Sequence, residues 1–501
     1  MTVSETNPYF GKIVLLLFLS VGFFLGFKAV LPEHLFPEQE SGKDDQENVI
    51  IDNLLLEAIS SDSTAVNDEN TQEDDDNNTT FIDSTAVIDE KEIVNDPTLT
   101  VEGYKSLSRF YAKLQKLEKT KKGKVRIAYF GDSMNDGDFI VQDVRREFQE
   151  TYGGQGVGFV AITSLSAGAR YSVAHQHSKN WKTQAFINVK KPLGSFGISG
   201  QVFFGNDTTA TYWVRYKAQG AKFLTQLYKP TLFYGKSNNT KGYITIEDEG
   251  KETITKELLP TKLLNAVQLT SGDPKSLKIS FNQIDSIPIY GVSFDDGQGV
   301  HIDNFSLRGN SGLPLSMFNV GLMNAFNREF NYDLIVLQYG ANVLSQKVES
   351  YGWYERGMTR ALENLRKCFP NADILIISTA DKATKIDGEM QTDPATTLLL
   401  NAQRRYARKN NAGFVNLYSL MGGKGSMIQW VDNNLAAKDY THFSASGSKR
   451  IAKYIYNEIN KGYTLYKKEA EASIDAEEQA REESEEQVTI KADSTAIVVS
   501  E

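Results

Sequence analysis

Four short apolar runs constrain this chain more than any other feature. Val125–Phe130 (VRIAYF), Asp333–Tyr339 (DLIVLQY), Asp373–Ser378 (DILIIS) and Gly413–Leu417 (GFVNL) read as strands buried on both faces. Segments with helical spacing follow them: 138–148, with Phe139, Ile140, Val144 and Phe148 on one side, then Tyr354–Cys368, about 396–409 and 446–459. Buried strands alternating with amphipathic helices predict an α/β fold with a doubly wound parallel sheet.

The pattern changes over 172–306. Gln201–Phe204, Thr211–Tyr216, Thr231–Tyr234 and Tyr243–Ile246 are rich in β-branched and aromatic residues and are separated by Gly, Asn and Asp. Leu277, Ile279 and Phe281 alternate with polar neighbours. An all-β sandwich is expected here, inserted into the α/β domain. Trp181, Trp213, Tyr216 and Tyr234 are candidates to stack on sugar rings, although filling the sandwich core is the more ordinary role for any one of them. The expected α/β domain is therefore discontinuous, 101–171 and 307–465.

The flanks differ in kind. The net charge of −10 divides into +1 over 1–32, −19 over 33–102, +17 over 103–468 and −9 over 469–501. A basic body between acidic tails suits an anionic polymer or surface as partner; shielding of the body by its tails explains the same pattern. Residues 33–100 carry too little apolar surface to fold and are expected to form a disordered acidic linker, with 466–501 a solvated acidic tail that begins helical. Asp62–Val66 and Asp83–Val87 repeat the motif DSTAV, and Asp493–Ile497 repeats it as DSTAI, which reads as low-complexity drift.

Ile13–Phe27 is apolar and uncharged. Extended to Tyr9 and Leu31, with Lys12 and Lys28 reaching outward, it is long enough to cross a bilayer. No small-x-small cleavage site follows, so an uncleaved anchor is preferred over a cleaved signal peptide. Residues 1–32 are thus expected to be a cytoplasmic stub and a single-pass transmembrane helix. The body would then be extracytoplasmic, and periplasmic in a Gram-negative cell. The only cysteine, Cys368, excludes an intrachain disulfide and reads as structural.

Chemistry concentrates at strand ends. Ser133 follows the first buried strand in Gly131-Asp132-Ser133, where open α/β sheets place their sites. Asn342 follows the second in Gly340-Ala341-Asn342, with a side-chain amide to donate. Gly312 closes the tight turn Arg308-Gly309-Asn310-Ser311-Gly312, where a backbone N–H can face a developing oxyanion. Asp439 and His442 lie in a loop before the last helix, spaced so that a carboxylate can orient an imidazole. Each piece alone is common. Their order along the chain, with the strand ends, gives them weight. His175 and His177 share one face of a strand without an evident third ligand and read as a surface pair. His301 reads as cleft-lining or structural at the domain junction, and His34 lies in the linker.

These blocks resemble those of the SGNH/GDSL hydrolase superfamily, over about 125–165 and 306–460. More narrowly, the chain resembles bacterial peptidoglycan O-acetylesterases and O-acetyltransferases that carry a β-sandwich between the first two blocks. The residues concerned are Gly131-Asp132-Ser133 with Gly137-Asp138-Phe139, Gly154–Phe159, and Gly299–Asn304 leading into Gly309–Gly312. Met134 departs from that narrower group, many of whose members have a polar residue after the serine; the departure bears on substrate rather than on chemistry.

The resemblance implies an SGNH, flavodoxin-like fold with Ser133 as nucleophile, His442 as base and Asp439 as its orienting carboxylate. The N–H groups of Ser133 and Gly312 and the Asn342 amide would form the oxyanion hole. No cofactor, no metal and no nucleic-acid partner is implied. The expected function is a membrane-anchored extracytoplasmic esterase removing O-acetyl groups from a polysaccharide such as peptidoglycan. An O-acetyltransferase using the same residues and a non-catalytic envelope glycan-binding protein remain as alternatives. A lipase-type esterase would need an apolar cleft lip that the sequence does not show.

Overall fold

The computed structural model describes residues 101–498 except 208, 346 and 347, together with Asp52, Leu54, Leu55 and Glu57; beyond residue 473 only the helical backbone is described. Six strands form the central sheet: β1 (Val101–Glu102), β2 (Lys124–Gly131), β3 (Gly299–Asn304), β4 (Leu334–Gln338), β5 (Asp373–Ile377) and β6 (Gly413–Val415). Their spatial order is β1-β6-β5-β4-β2-β3. All neighbours are parallel except β1 and β6.

Among the described residues from 101 onward, eight α-helices accompany them: α1 (Ser108–Thr120), α2 (Phe139–Tyr152), α3 (Val320–Phe330), α4 (Gly352–Cys368), α5 (Ala395–Lys409), α6 (Leu417–Met421), α7 (Ser426–Asp432) and α8 (Ala445–Val498). Side-chain alternation along the strands divides the core into two layers. Val125, Ile127 and Tyr129 of β2 join Val336 of β4 against Leu114 of α1, Val144 of α2 and Ile455 of α8. Ala128 and Phe130 join Leu337 against Phe326 of α3, Leu362 of α4 and Leu399 of α5. The sheet is thus covered on both faces, as near-continuous apolar strands require. The chain leaves β2 for β3 on one side and then crosses to β4 on the other, so the carboxyl end of β2 is a switch point of the topology.

The insert is a sandwich of two antiparallel sheets. One has the order 254–257, 243–248, 276–282, 212–218, 173–177, and the other 264–268, 231–235, 289–294, 201–204, 182–185. Strand Gly158–Ala161 also pairs with Ile289–Phe294, and Gly299–Asn304 pairs with β2. By pairing, the chain enters the insert near 158, ahead of the stretch 172–306 marked by composition, and returns to the central sheet near 299, within that stretch. Trp181, Tyr216 and Tyr234 are buried in the sandwich core; Trp213 is half-exposed on its outer face, in line with exposed Arg215 and Lys217.

Arg126 joins the two layers. It lies on β2, fully buried, and donates to both carboxylate oxygens of Asp303 (2.6 and 2.8 Å), to Asp295 (2.6 Å) and to Ser293 (3.1 Å). Its guanidinium rests 4.2 Å from the Phe330 ring centroid. Burial works against its charge, and Asp303 and Asp295 hold it protonated well above the ordinary arginine value. Asp303 also accepts from the Phe159 N–H (2.7 Å) and the Tyr332 hydroxyl (2.5 Å), so one buried charge cluster ties the sheet to the sandwich.

Three expectations change. The membrane-anchored chain with an extracytoplasmic body is corrected: among the described residues no helix is long and apolar enough to cross a membrane, and residues 9–31 lie outside the described residues. The closing helix continues past 459 to Val498, because the stretch Glu469–Gln487 consists mainly of Ala, Glu, Gln and Arg, which favour helix, and contains no Gly or Pro. The linker is not uniformly apart from the body, since Asp52, Leu54 and Leu55 pack on it. Of the DSTA repeats, those at 62 and 83 lie outside the described residues and the third falls within α8.

Candidate active site

The site builds from the carboxyl end of β2. Gly131 is fitted between strands: a Cβ there would lie 2.6 Å from the Asn135 amide and 2.9 Å from Ser306 Oγ. Leu307 N–H donates to the Gly131 carbonyl (3.1 Å), which carries the chain after β3 alongside the turn that holds Ser133. Asp132 is buried and accepts from the Met134 N–H (3.0 Å). Burial pushes its carboxyl up to about 6, against the N–H of Met134, the nearby His442 and the N–H groups of Ala341 and Gly340. Asp132 therefore fastens the turn after β2 to the turn after β4, one residue before Asn342.

Beyond this turn, Ser133 Oγ lies 2.9 Å from His442 Nε2. His442 Nδ1 lies 2.7 Å from Asp439 Oδ2, and Asp439 Oδ1 accepts from the N–H groups of His442 (3.0 Å) and Thr441 (2.9 Å). Burial raises the Asp439 carboxyl, but these N–H groups and the imidazole hold it below the usual carboxylate range. The geometry fixes a tautomer that donates from Nδ1 and presents a bare Nε2 to the serine. The side chains of His442 and Asp439 are 43% and 50% exposed, so water reaches them freely. Their loop is nevertheless held at several points. Ala437 N–H donates to the His442 carbonyl (2.8 Å), Ala383 N–H to the Tyr440 carbonyl (3.1 Å), and Ser444 N–H to the Leu435 carbonyl (3.0 Å).

The remaining expected donors divide. Asn342 Nδ2 donates to the Asn310 carbonyl at 3.2 Å, which places its amide on the 309–312 turn. Gly312 N–H is engaged with Asn310 Oδ1 (2.9 Å), and a Cβ there would meet the Tyr339 ring at 2.8 Å. Its φ of +90° and close packing account for glycine at 312 without any role as a donor. Gly309 is different: it is half-exposed, has φ +76°, and its N–H has no partner among the described residues. It lies two residues beyond Leu307, as Ser133 lies two beyond Gly131. The N–H of Ser133 likewise has no partner among the described residues. Sequence pattern does not separate two glycines three positions apart; only the hydrogen bond that Gly312 N–H donates to Asn310 Oδ1 does.

Other singled-out residues are placed away from this chemistry. His175 is not on the surface: it is buried, stacks on Tyr216 with centroids 5.0 Å apart, and contacts the Ile162 carbonyl at 3.0 Å. Burial lowers its imidazole to about 3. His301 is buried in β3 against the Gln298 carbonyl (2.9 Å) and Asp296 (3.2 Å), a structural position at the junction. Met134 lines a small recess beside the serine turn with Ala341, Leu344, Ala380 and Thr441.

No protein-family model and no curated protein sequence matches the chain. Among solved structures, a peptidoglycan O-acetylesterase captured in action is similar over 73% of this chain and 99% of its own, with 22% identity and a TM-score of 0.60. A family two carbohydrate esterase from Cellvibrio japonicus covers 58% of this chain and 98% of its own, at 9% identity and a TM-score of 0.23. A Bacillus subtilis protein covers 57% and 90%, at 12% identity and a TM-score of 0.28. The first likeness shows a shared fold, over 73% of this chain.

Proposed function

We propose that the chain is a serine esterase that removes O-acetyl groups from a glycan through an acyl-enzyme. The observation that carries this reading is the hydrogen-bonded series Ser133–His442–Asp439 at the carboxyl end of β2. In the proposed cycle Ser133 Oγ attacks the ester carbonyl while His442 Nε2 takes its proton. The tetrahedral oxyanion is stabilised by the N–H groups of Ser133 and Gly309 and by the Asn342 amide. As the intermediate collapses, His442 returns the proton to the leaving sugar oxygen, and Ser133 is left acetylated. Water, deprotonated by His442, then attacks and releases acetate. Asp439 holds the tautomer and offsets the imidazolium charge. In this reading the hydrolase domain and the inserted sandwich are distinct modules, the second offering a glycan surface.

The exposure of His442 and Asp439 favours water over a sugar as the second acceptor, and so esterase over transferase. The likeness to a peptidoglycan O-acetylesterase and the +17 body suggest an acetylated, anionic glycan as substrate class. The test is acetate release from O-acetylated peptidoglycan, with and without an added sugar acceptor. Ser133→Ala should reduce release by about 10⁴-fold or more. Acetyl transfer to the added sugar in place of release would replace esterase by transferase.

A further inference from the structure

Asp52 comes from the acidic stretch before the body, yet its side chain is 1% exposed. Its Oδ1 accepts the N–H groups of Leu54 (3.1 Å) and Leu55 (3.2 Å). Its Oδ2 accepts the Ser311 N–H at 3.0 Å and also the Ser311 hydroxyl. Leu54 and Leu55 pack against the core cluster that contains Leu313, Phe318 and Tyr339, and Glu57 pairs with Lys190 of the insert. Burial raises the Asp52 carboxyl, against the donors of Ser311, Leu55 and Leu54. A buried carboxylate is tolerated only when its lone pairs are met, and here donors from both its own segment and the body meet them.

The partner of this carboxylate is what gives it meaning. Ser311 sits between Asn310, whose carbonyl receives the Asn342 amide, and Gly312, whose N–H is taken by Asn310 Oδ1. The Ser311 carbonyl accepts the Tyr354 hydroxyl at 2.8 Å. Every member of the turn is therefore tied down except Gly309, and the tie on the Ser311 N–H comes from outside the body.

Resting on the esterase reading above, we infer that Asp52 is a positioning residue: its carboxylate braces the 309–312 turn, so that the Gly309 N–H and the Asn342 amide are held where the oxyanion forms. Asp52, with Leu54 and Leu55 anchoring it to the core, is then a working part of the catalytic unit. Asp52 touches no reacting atom; it acts through Ser311.

The test uses the full chain as wild type, Asp52→Asn and Asp52→Ala, with Ser133→Ala alongside. Turnover of a small acetyl ester is measured together with exchange of the Ser311 amide hydrogen. Asp52→Ala is expected to lower kcat by about 10- to 100-fold, because slight misplacement of donors is costly, while KM stays within about twofold. Ser311 exchange should accelerate in parallel. Asp52→Asn keeps an acceptor oxygen and should fall between the two, which guards against a variant that merely unfolds. Unchanged kcat and unchanged Ser311 exchange would overturn the brace, as would a rise in kcat, which would make the carboxylate a plug. Residual turnover in Ser133→Ala would instead overturn the esterase reading itself.

Discussion

At residue scale, Asn342 and Gly312 illustrate how a shared expectation separates once hydrogen bonds are known. The Asn342 amide gives one N–H to the Asn310 carbonyl and keeps a second to offer an oxyanion, whereas the single Gly312 N–H is held by Asn310 Oδ1. Asn342→Ala should therefore lower kcat by about 10²–10³-fold with little change in KM. Gly312→Ala places a methyl group against the Tyr339 ring at a φ of +90° and should mainly lower the melting temperature. Steady-state kinetics paired with calorimetry separate the two. An Asn342→Ala enzyme with wild-type kcat would remove the amide from the mechanism.

At the scale of elements, the loop between β2 and α2 carries a buried ion pair. Arg145 of α2 donates to both oxygens of Asp138 (2.8 and 3.1 Å) and to the Ile302 carbonyl on β3 (2.8 Å). Burial raises the Asp138 carboxyl, but Arg145 and Arg170 outweigh it and bring it to about 2 from the ordinary 3.8. A depressed folded value means that the stabilisation is in place above about pH 4 and is lost as pH falls toward 2. The shift corresponds to about 2 kcal/mol. Urea unfolding from pH 5 down to pH 2 should show that loss in the wild type. In Asp138→Asn the pH dependence should be flatter by a similar amount, on a stability already lowered by an unpaired buried arginine. Parallel pH profiles would contradict the assignment.

For the whole molecule, the division into a parallel α/β layer and an antiparallel insert was legible because each leaves its own hydrophobic period in the chain. The apolar runs at 125, 334, 373 and 413 became β2, β4, β5 and β6. β3 was not read as a strand of the sheet, since His301 and Asp303 break the apolar run; both are buried there only because they find partners. Arg126 was hidden for the same reason: a charge inside a buried strand makes sense only once Asp303 and Asp295 are brought to it. Ser133, His442 and Asp439 were legible as spaced types at strand and helix boundaries. The free N–H of Gly309 and the reach of Asp52 to Ser311 were not, because such pairings leave no period in sequence.

The central claim is that Ser133 carries the acyl group between ester and water. The most direct measurement is intact mass of the full chain, quenched in acid milliseconds after mixing with 4-nitrophenyl acetate. The expected result is an adduct of one acetyl group per chain that maps to Ser133, decays with turnover and is absent from Ser133→Ala. Turnover with no adduct on Ser133, or an undiminished adduct in Ser133→Ala, would contradict it.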